Sequence, residues 1–358
     1  MKVCIIGDGL ISLSLAAVLA KKKLRIDILS NWKSNKYDKS RTLGISKSNV
    51  DYFNKNIINI NKILWPVNHI RIFTEKNNKK EILSFNDNNK QIFSILKNHE
   101  LQKLLIDKLI QNKFITFKKF ISHEKIINQD YKLIINCNSG NEISTKFFSN
   151  KFEKNYDSFA YTAIISHKKK VKNNTAFQNF TNKGPIAFLP ISNTKTSVVY
   201  SLRSKVKKKK IEIKNLIEQY NPSFSILKIT NFNFFELKSS NLRNYFKSNI
   251  LAFGELLHKI HPLAGQGFNM SLRDIRLLSD LIDEKINLGL EIDSAVCHEF
   301  QRKSQDKNYL FSFGIDMIYE LFNFESKIKS NVLIKSINLI GKNKSLNSLL
   351  KKLANTGI

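Results

Sequence analysis

Short apolar runs alternate with polar and amphipathic stretches along the chain, and the first of them form a recognisable unit. Lys2–Ile6 has the pattern of a buried strand and is followed by a glycine turn, Gly7–Ser12. An apolar helix over Leu13–Ala20 and a second strand over Leu24–Leu29 come next. This order predicts a dinucleotide-binding βαβ unit, with a tight turn that binds no ligand as the alternative.

A second strand–loop–helix unit lies late in the chain. The apolar strand Asn249–Phe253 ends at Gly254, and Pro262, Gly265 and Gly267 occupy the loop that follows. An amphipathic helix is then predicted from apolar residues at helical spacing, namely Leu272, Ile275, Leu278 and Leu281. Glycines let the backbone approach a flat or anionic group, and a helix start offers free N–H groups to negative charge.

Between these units the pattern favours strands. Residues 66–95 and 156–235 alternate apolar and polar positions, as in an antiparallel sheet, whereas His99–Gln111 reads as a helix. Residues 114–148 read as short strands that return to the first sheet, and residues 301–358 read as helical.

Composition limits the possible partners. The formal charge is +30, which indicates either attraction to an anionic partner or a coding bias that enriches Lys, Asn and Ile together. The basic runs Lys168–Lys170 and Lys207–Lys210 lack interleaved aromatic residues, so we expect no nucleic-acid partner. The cysteines Cys4, Cys137 and Cys297 are far apart, which argues for a reducing compartment and against a disulfide framework or a metal site.

The sequence predicts a cytoplasmic protein. No apolar run reaches the roughly 18 residues of a membrane span, and Leu10–Ala20 reads as the helix of the βαβ unit and not as a signal peptide. Lysines alternate with Ile and Leu over Lys327–Ile340 and Ser345–Ala354. That pattern suits helices peripheral on the inner face of the cytoplasmic membrane, or helices packed on the parent domain with a solvated lysine face.

The two glycine units together resemble a known family. The late segment from Gly254 contains His261-Pro262-Leu263-Ala264-Gly265-Gln266-Gly267-Phe268-Asn269, and Asp274 follows it. With the early glycine turn, it resembles the FAD-dependent aromatic hydroxylases (the p-hydroxybenzoate-hydroxylase-like family), in particular their ubiquinone-biosynthesis branch. Arg41–Ser46 and Gly184–Pro190 resemble two further stretches of that branch. The resemblance runs from Met1 to beyond Asp274.

The resemblance implies an α/β fold with a Rossmann-like FAD-binding domain, an inserted mixed or antiparallel β-sheet substrate domain and C-terminal helices. The FAD-binding domain would be discontinuous and comprise residues 1–65, 96–150 and 249–300. Residues 66–95 and 151–248 would form the substrate domain, and residues 301–358 the C-terminal helical region.

The resemblance also implies site residues. Gly7, Gly9 and Ser12 would line the FAD pyrophosphate, Arg41 would pair with FAD phosphate or ribose, and Glu255 would take the place of an aspartate on the ribityl chain. Pro262 would lie against the isoalloxazine. The start of the late helix would face the pyrimidine edge of the flavin with Gly265, Gln266, Gly267, Phe268 and Asn269. No side chain is assigned a certain catalytic role, and His258 and His261 are the acid–base candidates.

Three positions depart from the family pattern. Ser30 stands where an acidic ribose ligand is expected, His99 where an arginine is usual, and Asn138 where the family carries an aspartate. These changes remove charged contacts to FAD. The intact loop at Gly265–Asn269 argues that the cofactor is still bound.

The resemblance implies an FAD monooxygenase that uses O₂ and an NAD(P)H reductant. It would hydroxylate a polyprenylated phenol through a flavin C4a-hydroperoxide in ubiquinone biosynthesis. Two alternatives stay open: a flavin-poor scaffold that docks other quinone-biosynthesis enzymes at a membrane surface, and an FAD hydroxylase of a soluble aromatic acid. The last would require a buried arginine on the substrate sheet, where Arg203 is the candidate.

Overall fold

A computed structural model describes residues 1–30, 38–75, 81–86, 91–262 and 265–327, with side chains to residue 321. Its helices are α1 Leu10–Ala20, α2 Lys47–Asn56, α3 Asn98–Ile110, α4 His123–Ile127, α5 Glu142–Phe147, α6 Lys210–Gln219, α7 Gly267–Asn287 and α8 Ser294–Lys327. Its strands up to residue 136 are β1 Lys2–Ile6, β2 Arg25–Ser30, β3 Thr42–Ser46, β4 Trp65–Val67, β5 His69–Thr74, β6 Glu81–Asn86, β7 Phe93–Lys97, β8 Ile115–Lys119 and β9 Leu133–Asn136. The later strands are β10 Lys151–His167, β11 Thr175–Thr181, β12 Gly184–Pro190, β13 Lys195–Arg203, β14 Ile226–Leu242, β15 Phe246–Lys247, β16 Ile250–Ala252 and β17 His258–Lys259.

The first sheet has the order β15-β16-β9-β1-β2-β8 and is parallel except at the β15–β16 edge. Both glycine units therefore join one sheet, with β1 and β16 on either side of β9. Helix α1 is apolar on nearly its whole surface and is buried against α3 and α7, because a parallel sheet must be covered on both faces. The strand–turn–helix–strand order predicted for the first unit is confirmed.

A larger sheet, β17-β14-β10-β13-β12-β11-β5-β6, is antiparallel apart from the parallel β5–β11 pair. Side chains alternate between its faces, as in any strand. Tyr161, Ala163 and Ile165 of β10 pack with α6, whereas Thr162 and Ile164 face the opposite side, towards Ser40, β4 and β7. The mixed fold class predicted from the sequence is confirmed.

A small sheet, β3-β7-β4, lies between the two larger sheets. Ser40 hydrogen-bonds Thr162 at 2.8 Å, and Thr42 hydrogen-bonds Ser197 at the same distance. These hydroxyl contacts fix the segment around Arg41 against the large sheet.

Helix α8 begins at Ser294, seven residues before the predicted helical region. The predicted helices Lys327–Ile340 and Ser345–Ala354 lie outside the described residues, apart from Lys327 itself at the end of α8. Within the described ranges, no helix is both long and apolar enough to cross a membrane.

Candidate cofactor site

The first glycine turn joins β1 to α1 at the carboxyl end of the parallel sheet. Gly7 has a φ of +119°, a backbone conformation that L side chains rarely adopt, and its N–H donates to the Leu29 carbonyl at 2.8 Å. The Ser12 hydroxyl donates to the Gly9 carbonyl at 2.8 Å. Ser12 therefore fills the third position of the motif and stabilises the turn.

Gly9 is the N-cap of α1 and is exposed. A Cβ placed on Gly9 would meet no atom closer than the Ser12 Oγ at 4.0 Å, and its φ of −72° suits any residue. The open space therefore lies in front of a helix N-terminus, where an anionic group is stabilised by free N–H groups and the helix dipole.

The second glycine unit packs directly on the first. Gly254 has a φ of +64°, and a Cβ there would lie 3.1 Å from the Ile11 Cγ2 of α1. The adjacent Glu255 is exposed, in a short 3-10 turn over Gly254–Leu256. This close packing places Glu255 near the N-terminal turn of α1.

The start of α7 is tied to β3. Gly265 has a φ of +63°, and a Cβ on it would lie 3.4 Å from the Gly44 backbone nitrogen. The Asn269 amide group donates to the Gly44 carbonyl at 3.0 Å, and its oxygen accepts from the Ser46 N–H at 3.0 Å and from Asn49 at 2.9 Å. The Asn269 side chain therefore hydrogen-bonds to other residues of the protein. Its role towards a cofactor would be to position the first turn of α7.

His258 is part of a buried pair. Its Nε2 lies 2.6 Å from an Asp274 carboxylate oxygen, and both side chains are about 1% exposed. Asp274 also accepts from Asn308 of α8 at 3.4 Å. Asp274 lies in the third turn of α7 and, through His258 and Asn308, holds β17, α7 and α8 together.

His261, the other acid–base candidate, lies between two tyrosine rings. Its ring is 4.3 Å from that of Tyr319 on α8 and 5.0 Å from that of Tyr156 on β10, measured between centroids. The Tyr156 hydroxyl donates to Asp316. Burial, with a smaller contribution from Lys154, lowers the pKa of His261 from 6.5 to about 3.

We expect this histidine to make the fold sensitive to mild acid. The unfolded chain binds a proton at His261 below its ordinary pKa of about 6.5, whereas the folded chain does so only near 3. Stability is therefore full above about pH 6.5 and falls with decreasing pH by up to about 1.4 kcal/mol per unit. Urea unfolding at several pH values should give His261→Phe a shallower decline between about pH 6 and 5 than the parent. Equal slopes would contradict this assignment.

Arg41 precedes β3 and is exposed, with its guanidinium 5.1 Å from the Phe235 ring centroid.

Pro262 is half-buried, and its carbonyl accepts from the Gly265 N–H at 3.2 Å, just before the start of α7. Gln266 is the N-cap of α7, Gly267 begins the helix, and Phe268 packs on Phe53 at 6.3 Å. The predicted helix start at this loop is therefore present.

The three departures from the family pattern have different local settings. Ser30 is buried at the end of β2, and Asp27 is turned away from the turn, where it binds Lys118 at 2.7 Å and Tyr131 at 2.6 Å. Asn138 accepts from the Gly140 N–H at 2.8 Å and so keeps a tight turn. The Nδ1 atom of His99 is buried and has no hydrogen-bond partner within the described part of the chain, an orphaned polar atom that a ligand could satisfy.

The geometry adds Gln102, which the sequence pattern did not single out. Its amide group donates to the Asp8 carbonyl at 3.1 Å, so α3 supports the first glycine turn directly. In the sequence, Gln102 is recognisable only as a polar residue one turn after the start of α3 at Asn98. Its partner became visible only through the packing of α3 beside the first glycine turn. Three features together fit a large phosphate-bearing cofactor. They are the start of α1, which has no side-chain cap, the open space at Gly9 and the buried Nδ1 atom of His99.

The fold is that of the FAD-dependent aromatic monooxygenases. The p-nitrophenol 4-monooxygenase PnpA of Pseudomonas putida superposes with a TM-score of 0.78 at 12% identity, over 99% of this chain and 98% of that one. HpxO of Klebsiella pneumoniae, solved with FAD and uric acid, gives 0.78 at 11% identity, over 99% and 96%. No protein-family model matches the chain.

Two curated sequence relatives carry names from ubiquinone metabolism. The ubiquinone biosynthesis monooxygenase COQ6 of Danio rerio is 25% identical over 227 residues, which cover 52% of this chain and 46% of that protein. The 3-demethoxyubiquinol 3-hydroxylase of Escherichia coli is 27% identical over 156 residues, covering 42% and 40%. The resemblance predicted from the glycine motifs is confirmed, although the match spans about half the length of these curated relatives or less.

Proposed function

We propose that the chain is an FAD-dependent monooxygenase that hydroxylates a polyprenylated phenol in ubiquinone biosynthesis, with NAD(P)H as a transient reductant. The observation that carries the proposal is the open space at Gly9 before the uncapped start of α1, with Gly254 and Glu255 packed beside it. The relatives named above supply the reaction class.

FAD, when bound, would supply the activation of O₂ and the oxygen transfer. The chain's own residues would bind and orient it. Gly7, Gly9 and Ser12 would take the pyrophosphate, and Arg41 a phosphate or ribose group. The start of α7 would direct its N–H groups towards the ring system.

The chain would also exclude water from the reacting centre. Ile164 with Val67 and Ile95 forms an apolar cluster on the face of the large sheet that is opposite to α6. On the same face, Ser197 and Thr162 are held by the hydroxyl contacts to Thr42 and Ser40. These side chains are buried beneath β4, β7 and the segment around Arg41, so they give that segment a dry, weakly polar support.

A soluble aromatic acid fits less well. Arg203, the candidate counter-ion, lies at the end of β13 and donates to the Asn182 carbonyl at 2.9 Å in an exposed hairpin. Arg203 is therefore not the buried counter-ion that a soluble acid would require, so the lipid phenol is favoured.

The test separates cofactor binding from folding. We expect the purified protein to be yellow, or to bind added FAD, and we expect Gly9→Val to lower the affinity for FAD at least about tenfold, because its branched side chain would fill the space for the pyrophosphate. The thermal midpoint of the FAD-free protein should fall only slightly, since Gly9 has an ordinary φ and open space and the change costs no more than the loss of a favourable N-cap residue. FAD titration and thermal melts of both proteins measure this.

The reaction itself is checked with the FAD-loaded protein, NAD(P)H and a prenylated phenol, with 4-hydroxybenzoate as the soluble control. Mass spectrometry should detect one added oxygen atom in the prenylated compound alone. A protein that binds no FAD at high concentration would contradict the proposal and favour the scaffold alternative. Oxygenation of 4-hydroxybenzoate alone would favour the soluble-acid alternative.

A cytoplasmic location at the inner face of the membrane and contacts with other quinone-biosynthesis enzymes belong to the same proposal. What supports them is the water-insoluble character of the proposed substrate and the strongly positive charge of the chain.

A further inference from the structure

The outer face of α8 changes character along its length. Over its first half this face carries exposed charged residues such as Arg302, Lys303 and Asp306. Further on, the same face carries apolar side chains at intervals of three and four residues, each between 42% and 66% exposed: Leu310, Phe313, Met317 and Leu321. The opposite face, with Asn308, Ser312 and Tyr319, is buried against the body of the protein. An apolar stripe on the solvent side is unusual for a helix that is already packed.

Two further aromatic residues extend the stripe onto β10. The Tyr309 ring stacks on Phe313 with centroids 6.5 Å apart, and Phe152 packs on Tyr309 at 5.9 Å. Phe152 and Tyr309 are both about half exposed. We call the resulting surface the α8 patch, and it consists of Phe152, Tyr309, Leu310, Phe313, Met317 and Leu321.

Basic residues border parts of the α8 patch. The Arg243 guanidinium lies 4.2 Å from the Phe152 ring centroid, and Lys307 is exposed one helical turn before Leu310. Lys154, at the other border, is 2.7 Å from Glu320. Apolar and aromatic side chains bordered by basic residues, on a chain with a formal charge of +30, are complementary to an anionic bilayer surface.

We propose that the α8 patch docks the protein on an anionic lipid surface, with the aromatic and aliphatic side chains among the acyl chains and the basic border at the headgroups. The helix would lie in the plane of the interface.

The patch adjoins the candidate site. Tyr319 of α8 contacts His261, and Tyr156, four residues from Phe152 on β10, contacts both. If the proposed function holds, docking would present the site to substrate dissolved in the bilayer. That step rests on the proposed function, whereas the lipid binding does not.

The experiment is co-sedimentation of the full chain with vesicles of phosphatidylcholine alone or mixed with phosphatidylglycerol. We expect binding to the anionic vesicles and at least about tenfold weaker partitioning for the triple variant Leu310→Gln, Phe313→Gln, Met317→Gln, because the buried apolar area supplies much of interfacial affinity. The matched control is Val171→Gln with Val206→Gln, which removes exposed apolar side chains beside other lysines. This control should bind as the parent does.

FAD titration and thermal melts of the triple variant show that its fold and cofactor site are intact, so a failure of this proposal is distinguishable from a failure of the proposed function. Equal vesicle binding by parent and triple variant would overturn the proposal. A parent protein that does not bind anionic vesicles would also overturn it. A parent that is a dimer in solution, with a monomeric triple variant, would overturn it too, since the patch would then join two copies of the chain.

Discussion

Gly184→Ala is expected to destabilise the large sheet by at least about 3 kcal/mol, combining the cost of a positive φ with that of a forced overlap. Gly184 begins β12 with a φ of +125°, and a Cβ there would lie 2.0 Å from the Ser201 carbonyl oxygen of β13. That oxygen belongs to the backbone of a central strand and cannot rotate away. The two strands would have to separate, which breaks the register that aligns Ser197 and Thr196 with Leu189 and Pro190.

The matched control for Gly184→Ala is Gly289→Ala. Gly289 follows α7 with a φ of +68°, but a Cβ there would meet nothing within 4 Å. This control therefore carries the backbone strain alone, and should cost about 1 kcal/mol. Thermal melts should lower the midpoint by about 5 °C or more for Gly184→Ala and by about 2 °C for Gly289→Ala. Similar decreases in the thermal midpoint for the two variants would contradict a contribution from the overlap with Ser201. The backbone strain would then be the whole effect.

The glycine units could be predicted from the sequence because their chemistry is local. Gly7, Gly254 and Gly265 all adopt positive φ, and each lies where a strand or turn leads towards a helix. A short strand, a glycine and an apolar helix specify one another through neighbouring residues. The alternation in residues 156–235 likewise predicts strands, because each face of a sheet has a period of two.

What the sequence could not provide is the set of partners that meet across the fold. Asn269 hydrogen-bonds to Gly44 and Ser46, and Tyr156 meets His261 and Tyr319, over separations that no local pattern encodes. From the residues alone, His258 and His261 share one interpretation, as candidate acid–base groups. The fold distinguishes them, since His258 is paired with a carboxylate and His261 lies between aromatic rings.

Charge is the other property that the sequence could not interpret. The coding-bias explanation and the anionic-partner explanation give the same count of lysines. The fold distinguishes where the cations lie: Lys118 and Lys2 surround the buried Asp27, whereas Arg243 and Lys307 border an apolar surface. The positions of the cations therefore add functional information that the net charge alone does not contain.

Asp274→Ala is expected to cost about 3 kcal/mol or more, because it leaves two buried hydrogen-bond donors without this acceptor, each at about 1–3 kcal/mol. His258 and Asn308 would both lose an acceptor in a region that water does not reach. The control is Glu153→Ala, which removes a 2.7 Å pair with Lys151 whose side chains are about 40% exposed, and which should cost less than about 1 kcal/mol. Urea unfolding of the three proteins measures both effects.

The double variant His258→Phe, Asp274→Leu distinguishes a structural pair from a catalytic one. If the pair serves to hold β17 against α7 and α8, apolar side chains of similar size should recover much of the stability lost in Asp274→Ala, because no buried imidazole is then left without its acceptor. We expect Asp274→Ala to lower the affinity for FAD as well, since β17 leads into the loop at Pro262 that precedes the start of α7. In the double variant this affinity should recover together with the stability. Recovered stability and FAD binding with lost oxygenation would instead show that His258 acts in the reaction, and would contradict the structural assignment.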